Sequence, residues 1–299
     1  MLNLPNFLII GAAKAGTTSL CHYLTQHPEI YISEEKEPRF FSPEFYTKDT
    51  NGLLRNNARK EAFSLEEYQN LFESVTIERA IGEATTEYLY YPKTPQRIRD
   101  RIPNARLIAI LRNPVERAFS AYCYQLRDGC ETVSFEEAIV QSPIRASSNW
   151  RPGWLYTQSG YYYEQLKRYY DLFPKEQIQI HLFSDFMQAP NAVCQKIFEF
   201  LEVKSSFEVP DLSAKNVSMV PKNQFVGDLI KKGKEIKEIV TDVLPEAIIE
   251  PVVQEIKSYL YEPKPELSDD VRQVLIELYK EDVIALESLI NRDLSAWLS

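Results

Sequence analysis

The segment that most constrains the fold lies near the N-terminus, where a glycine-bearing loop follows a short apolar run. Phe7-Leu-Ile-Ile10 is typical of a strand that is buried on both faces of a parallel sheet. The loop Gly11-Ala-Ala-Lys-Ala-Gly16 comes next, and the residues from Ser19 to Thr25 have the pattern of a helix. Only 9 of the 299 residues are glycine, so this close pair indicates that the backbone approaches another group here. Strand, glycine loop and helix in this order predict the first unit of a phosphate-binding α/β fold.

Strand and helix patterns alternate along the rest of the chain. Arg106–Leu111 and Gln177–Leu182 predict further buried strands, and Pro114 suits the first turn of the helix that follows the former. Ser134 has the spacing of a helix N-cap. This alternation predicts an α/β fold, a P-loop-like three-layer αβα sandwich around a mainly parallel sheet. Helical periods run over residues 117–122, 161–172, 190–201 and 269–290.

No low-complexity linker or internal repeat divides the chain, so residues 1–299 are expected to form a single domain. Two polar, turn-rich segments, Phe41 to Asn57 and Ser142 to Gly160, are predicted to be loops over a site. The four lysines at 231, 232, 234 and 237 are predicted to lie on the solvated face of a helix.

Charge and composition exclude several classes of protein. The 34 basic and 43 acidic residues leave a net charge of −9, which argues against a general nucleic-acid binder. No apolar run is as long as a membrane span, which needs about 18 residues. The N-terminus lacks the pattern of a signal peptide. The cysteines are spaced too widely for a zinc site and are expected to be free thiols in the cytoplasm. They are Cys21, Cys123, Cys130 and Cys194.

The glycine loop departs from the Walker A pattern of nucleotidases. Its two glycines keep the Walker spacing, but Thr17 stands where the lysine belongs, and Lys14 lies inside the loop instead. Backbone amides and a helix N-terminus still suit an anion, but no acidic metal ligand follows a strand. Sulfuryl transfer suits such a loop, because Lys14 and oriented amides can neutralise the charge on a leaving phosphate without a metal.

Two further segments strengthen this interpretation. One is Lys36-Glu37-Pro-Arg-Phe-Phe41, and the other runs from Leu111-Arg112-Asn-Pro to Ser120. With the glycine loop, they resemble the sulfotransferases that use 3′-phosphoadenosine 5′-phosphosulfate (PAPS), above all the heparan-sulfate type and its bacterial relatives. Weaker likeness extends to Gly82-Glu-Ala-Thr85, where Ala84 replaces a lysine of the heparan type, and to segments 160–166 and 286–297.

The resemblance implies a role for each matching residue. Glu37 would be the catalytic base, and Lys14 would bridge the leaving phosphate and the sulfuryl oxygens. Arg112 and Ser120, eight residues apart, would bind the 3′-phosphate. The loop would hold the 5′-phosphosulfate through Ala13, Lys14, Ala15, Gly16, Thr17, Thr18 and Ser19.

Several residues keep two interpretations at this point. Lys36 is either an assistant to the chemistry or a solvated neighbour. An aromatic cluster, Trp150, Trp154, Tyr156 and Tyr161 to Tyr163, is either an acceptor platform or core. The three histidines, His22, His27 and His181, lack metal-ligand spacing; structural roles are expected, with a base role second. Seven basic and two acidic residues between Lys93 and Arg117 predict a locally basic sheet edge at the 3′-phosphate.

The sequence therefore predicts a PAPS-dependent sulfotransferase with no metal, acting on a hydroxyl or, second, an amine. The acceptor would be a glycan, a hydroxylated acyl chain or lipid, or a small metabolite. Two other functions remain open: a P-loop kinase or nucleotidase that uses ATP and magnesium, and a non-catalytic nucleotide-binding protein. The oligomeric state is not readable from the sequence.

Overall fold

The computed structural model describes residues 4–47, 61–213, 219–221, 261–263 and 265–299. The strands of its main sheet are β1 (Phe7–Gly11), β2 (Ile30–Ile32), β3 (Ala80–Ala84), β4 (Arg106–Leu111) and β5 (Ile178–Leu182). All five are parallel and lie in the order β2-β3-β1-β4-β5, so the predicted α/β class with a parallel sheet is confirmed. Two short strands, β6 (Met219–Pro221) and β7 (Tyr261–Pro263), pair antiparallel.

Helices lie on both sides of this sheet. They are α1 (Thr17–Leu24), α2 (Leu65–Asn70), α3 (Thr94–Arg101), α4 (Pro114–Arg127), α5 (Phe135–Ser147), α6 (Tyr162–Tyr170), α7 (Phe183–Gln188), α8 (Pro190–Phe200) and α9 (Asp269–Ile290). The helix α1 packs against α8, and α9 packs against α4 and α6. None of the helices in the described ranges combines the length and the apolar character that crossing a membrane requires.

The strand order sets the position of the site. Every residue of β1 is buried, and β1 lies between β3 and β4 at the centre of the sheet. From β1 the chain goes to β2 and β3 on one side and then crosses to β4 on the other. Open parallel sheets bind ligands at the carboxyl ends of their strands, where the order reverses in this way. The segments that follow β1, β3 and β4 therefore meet around one crevice.

Sequence periodicity predicted β1, β4 and β5 but missed β2 and β3. The strand β2 has only three residues, too few to show a pattern. The strand β3 contains Gly82, a residue that ordinarily weakens a strand. Gly82 pairs with Phe7 of β1, and a Cβ at Gly82 would lie 2.3 Å from Cζ of the Phe7 ring. The glycine is needed because this ring lies against the neighbouring strand.

The predicted loop from Ser142 to Gly160 is wrong in its first part, because α5 continues to Ser147 in spite of Pro143. A buried cluster holds this last turn. Arg145 donates to Glu131 at 2.6 Å, and the Tyr156 hydroxyl donates to the same carboxylate at 2.7 Å. Of the other predicted loop, Pro43–Thr47 forms a 3-10 helix, and residues 48–57 lie outside the described residues. The four lysines from 231 to 237 also lie outside them.

Candidate active site

The glycine loop joins the buried end of β1 to the first turn of α1. Gly16 is the N-cap of α1, with φ of +88°, and it has no side chain to cap the amides of the first turn. Such amides at a helix N-terminus are free to bind an anion. The Ala15 amide closes the loop instead, donating to the Ala12 carbonyl at 3.2 Å. The residues predicted to hold the 5′-phosphosulfate differ in exposure. Partly exposed are Ala13, Lys14, Gly16 and Thr18, and buried are Ala15, Thr17 and Ser19.

Gly16→Ala is expected to lower the melting temperature, because an L-residue in the left-handed region destabilises the folded state by about 1–2 kcal/mol. A Cβ at Gly16 would also lie 3.0 Å from Cε2 of Phe183, so the ring must shift. Thermal unfolding followed by circular dichroism measures the effect. Gly153→Ala is the matched control, because its Cβ would meet only the end of the flexible Gln125 side chain. Equal melting temperatures of the two variants would contradict the expectation.

Lys14 projects from the loop in a partly buried position. Its Nζ lies 4.0 Å from the centroid of the Tyr124 ring, within the range of a cation–π contact. Burial, and next the positive charge of Arg127, lower the pKa of Lys14 to about 8. The Lys14 carbonyl accepts a hydrogen bond from Nη1 of Arg112 at 3.2 Å. The ammonium is thus held on an aromatic face, and the loop is tied to the end of β4.

Arg112 follows the last residue of β4 and lies between the loop and α7. Its guanidinium is 4.9 Å from the centroid of the Phe183 ring. Its Nη2 lies 3.7 Å from a carboxylate oxygen of Glu116, and Arg272 of α9 pairs with the other oxygen at 2.9 Å. Burial lowers the pKa of Arg112. Because Glu116 has a second partner, Arg112 can release it to bind an anion.

A cavity of about 190 Å³ opens beside Arg112. Most small-molecule pockets have a volume of about 300–1,000 Å³. This smaller cavity suits one ring system of a larger ligand. Two aromatic residues line it, Phe183 and Trp297, and the latter belongs to the 3-10 turn Ser295–Trp297. Sequence analysis assigned no role to either ring. The lining residues are Leu111, Arg112, Asn113, Glu116, Phe183, Ser184 and Trp297.

Ser120 lies in the second turn of α4 and is 3% exposed. Its hydroxyl makes no hydrogen bond with any residue that the structure describes. A hydroxyl left open in this helix is what the predicted role in ligand binding requires.

Glu37 follows β2 and is held from two sides. Its Oε1 accepts from the Thr86 hydroxyl at 2.8 Å, and its Oε2 pairs with the guanidinium of Arg39. Arg39 also reaches Glu87 at 3.2 Å, so one cation is shared by two carboxylates. Burial, and next the charge of Glu87, raise the pKa of Glu37, while Arg39 opposes them. The side chain is 22% exposed, which leaves this carboxylate within reach of a ligand.

Glu83 is a fully buried carboxyl at the end of β3. Its oxygens accept hydrogen bonds from the hydroxyls of Tyr68 at 3.2 Å and Thr85 at 2.9 Å. Burial raises the pKa of Glu83 to about 7. The Thr85 hydroxyl in turn accepts from the backbone amide of Arg39 at 3.3 Å. Glu83 therefore holds the segment that carries Glu37, a role that sequence analysis did not identify.

Lys36 and the aromatic cluster each had two interpretations from the sequence. Nζ of Lys36 donates to the Thr18 hydroxyl at 3.3 Å, which brings it to the glycine loop. Tyr156 and Tyr162 of the aromatic cluster are buried and belong to the core. Within the described residues, no group of three or more acidic, histidine or cysteine side chains forms a metal site.

The histidines take part in structural contacts. His22 pairs with Asp211 at 2.8 Å, and His27 lies in the core, with a ring nitrogen 3.0 Å from the Lys204 carbonyl oxygen. His181 is buried in β5, and burial lowers its pKa to about 4. The contacts of His22 and His27 agree with the structural roles expected from the sequence.

The prediction of a locally basic sheet edge is wrong. Arg97 pairs with Glu44 at 2.7 Å, and Arg106 pairs with Glu202. Arg106 begins β4, whereas Arg112 follows its end, and six strand residues span about 20 Å. Arg117 is buried and donates to the Tyr156 carbonyl. Charges that are close in sequence are therefore spread over the two ends of the sheet.

Comparison with known proteins gives a consistent result. The sequence profile described as "Sulfotransferase family" matches residues 5–207. A membrane-associated sulfotransferase, kil1 of Dictyostelium discoideum, is 37% identical over 42% of this chain and 24% of its own. The mouse bifunctional heparan sulfate N-deacetylase/N-sulfotransferase 3 is 26% identical over 99% of this chain and 31% of its own. The chain thus spans less than a third of the length of these two curated relatives.

A solved structure covers nearly all of the chain. The crystal structure of a sulfotransferase from Alicyclobacillus acidocaldarius has a TM-score of 0.77 and 36% sequence identity. The match covers 99% of this chain and 100% of that one. The resemblance found in the sequence motifs is thereby confirmed at the level of both family and fold.

Proposed function

This chain belongs to the sulfotransferase family, and on that premise we propose that it transfers the sulfuryl group of PAPS to an acceptor hydroxyl. The observation that supports this proposal most is that three features lie together at the carboxyl ends of the central strands. These are the open N-terminus of α1 with Lys14, the cavity beside Arg112, and the partly exposed carboxylate of Glu37. Together they offer an anion cradle, an aromatic pocket and a base.

The proposed donor matches these features in size and charge. The amides of the first turn of α1 and the ammonium of Lys14 suit the 5′-phosphosulfate. The fork of Arg112 and the open hydroxyl of Ser120 suit the 3′-phosphate. The cavity beside Trp297 suits the adenine ring. These assignments support PAPS rather than ATP, which lacks a 3′-phosphate.

The proposed mechanism is a single in-line displacement. Glu37 accepts the proton of the acceptor hydroxyl while the hydroxyl oxygen attacks sulfur. The bond between sulfur and the bridging phosphate oxygen breaks, and adenosine 3′,5′-bisphosphate leaves. Lys14 and the loop amides stabilise the charge that develops on the leaving phosphate. The raised pKa of Glu37 makes its carboxylate a better proton acceptor than an ordinary glutamate.

The acceptor is proposed to be a glycan hydroxyl, since relatives are named for heparan sulfate and carbohydrate substrates. The test is the release of adenosine 3′,5′-bisphosphate from PAPS with a panel of glycan, hydroxyacyl and small-alcohol acceptors. We expect release that depends on one class of acceptor. Hydrolysis of magnesium ATP with no affinity for the bisphosphate would instead identify a nucleotidase. Binding of the bisphosphate without any transfer would identify a non-catalytic protein.

Arg112→Ala is expected to weaken binding of adenosine 3′,5′-bisphosphate by about 10- to 100-fold, the value of a lost hydrogen bond to a charged group. Glu116 stays near the site and adds repulsion, because Arg272 still holds it. Isothermal titration calorimetry measures the affinity. Arg101→Ala is the control, since Arg101 is exposed at the end of α3. Unchanged affinity in Arg112→Ala would contradict the assigned 3′-phosphate site.

A further inference from the structure

The three residues that follow β3 each contact the segment that carries Glu37. The Thr85 hydroxyl accepts from the backbone amide of Arg39 at 3.3 Å. The Thr86 hydroxyl donates to Oε1 of Glu37 at 2.8 Å. Glu87 accepts from Nη2 of Arg39 at 3.2 Å. The first two contacts fix the base and its backbone, whereas that of Glu87 is made to Arg39 alone and needs a separate explanation.

Arg39 holds Glu37 in an unusual backbone conformation. Both residues lie in the left-handed region, with φ of +54° at Glu37 and +57° at Arg39. Residues other than glycine keep such angles where surrounding contacts fix them. Nη1 of Arg39 donates to the backbone carbonyl of Glu37 at 2.9 Å, and its Nη2 pairs with the Glu37 carboxylate. A positive charge beside the base is therefore part of the structure that positions it.

The contact between Arg39 and Glu37 differs from a complete ion pair in the same protein. Arg97 meets Glu44 with both terminal nitrogens, each 2.7 Å from one carboxylate oxygen. Burial raises the pKa of Glu44, but the hydrogen bonds from Arg97 outweigh it and hold that pKa below its ordinary value. Arg39 meets the Glu37 carboxylate through Nη2, and the same nitrogen serves Glu87. Such a shared contact neutralises a carboxylate less than a bidentate pair does.

We propose that Glu87 is a positioning residue of the transfer: by holding one N–H of Arg39, it lets the guanidinium orient Glu37 without neutralising it. The proposal rests on the proposed function, in which Glu37 is the base. The side chain of Glu87 is 13% exposed and that of Arg39 is 18% exposed, so solvent screens their contact little. Burial raises the pKa of Glu37 most and the charge of Glu87 next, whereas Arg39 opposes both. Glu87 thus keeps the base strong while Arg39 holds it in place.

Lys36, Glu83 and Cys21 also face Glu37. The positive charge of Lys36 opposes the rise of the Glu37 pKa that burial causes. Burial, and with a smaller effect the charge of Glu37, raises the pKa of Glu83 to about 7 and that of the Cys21 thiol to about 12. These groups are present in the wild type and in every variant of Glu87. A comparison between the two titrations therefore isolates the effect of Glu87.

The first test needs no acceptor. Glutamate labelled with ¹³C at its carboxyl group is incorporated into the full chain, and Glu37→Gln identifies the signal of Glu37. In Glu87→Gln we expect the titration midpoint of Glu37 at lower pH, because removal of a neighbouring negative charge favours the ionised carboxylate. Glu87→Asp keeps the charge and should restore most of the wild-type value. Glu202→Gln is the control, since it removes a carboxylate from the pair with Arg106 at the other end of the sheet.

The second test measures the reaction with the acceptor that supports release of adenosine 3′,5′-bisphosphate in the acceptor panel. In Glu87→Gln the acid limb of kcat/KM should also move to lower pH. On the plateau, kcat should fall by about 10-fold, a part of the about 10²–10⁴-fold that a general base contributes. Affinity for the bisphosphate should stay unchanged, because other residues line the cavity beside Arg112.

Two outcomes would overturn the proposal: a titration midpoint of Glu37 that does not move in Glu87→Gln, or an acid limb of kcat/KM that stays in place. A lower melting temperature with either result would assign Glu87 to the stability of the fold alone. A moved midpoint without sulfuryl transfer to any acceptor would instead show that Glu87 sets the charge of Glu37 and would refute the proposed function. The two failures are therefore distinguishable.

Discussion

Glu37→Gln is expected to lower kcat by about 10²–10⁴-fold, the usual contribution of a positioned general base. The amide has nearly the shape of the carboxylate and can still accept from the Thr86 hydroxyl. It cannot take the proton of the acceptor. Release of adenosine 3′,5′-bisphosphate in the presence of a true acceptor measures the rate, and the affinity for the bisphosphate should stay unchanged. The loss should therefore appear in the chemical step alone.

The pH profile provides a second readout for Glu37. Activity needs the carboxylate, so kcat/KM should rise with pH through the pKa of Glu37. Burial and Glu87 hold that pKa above its ordinary value, so the rise lies above the about 4.3 of a free glutamate. In Glu37→Gln this rise should disappear. Glu34→Gln, in the exposed part of the same acidic run, is the control. Wild-type turnover in Glu37→Gln would show that the base has been assigned wrongly.

Lys14→Met is expected to reduce kcat by about 10²–10³-fold, as for the loss of one group that stabilises developing charge. Methionine is about as long as lysine without its ammonium, and its sulfur can keep the contact with the Tyr124 ring. The loop should then keep its conformation, and the melting temperature should change little. Lys175→Met, at an exposed position, is the control.

Lys14 also predicts a fall of activity at alkaline pH. Its pKa of about 8 in the free protein means that the ammonium is present below this pH and is lost above it. We expect kcat/KM to fall as pH rises through about 8. A bound donor places negative charge beside the ammonium and raises its pKa, so the fall in kcat should lie at higher pH. The same basic limb in Lys14→Met would exclude Lys14 as its cause.

Local patterns predicted much of the fold. The apolar runs of β1 and β4 and the glycine spacing were sufficient, because a buried strand and a helix N-terminus leave their signals within a few residues. The helix period from 269 to 290 agrees with the bounds of α9. The strand β3 and the last turn of α5 were missed, because Phe7 and Glu131, which lie outside these elements, stabilise them.

By itself the sequence determined the family, the α/β class and the candidate loop, base and Arg112–Ser120 pair, since each is a short segment with its own spacing. Only the tertiary structure decided what surrounds them. It brings Trp297 to the cavity beside Arg112, and it places Arg39 between Glu37 and Glu87. Burial and contacts between distant segments have no local period, and they set the charge that a ligand meets.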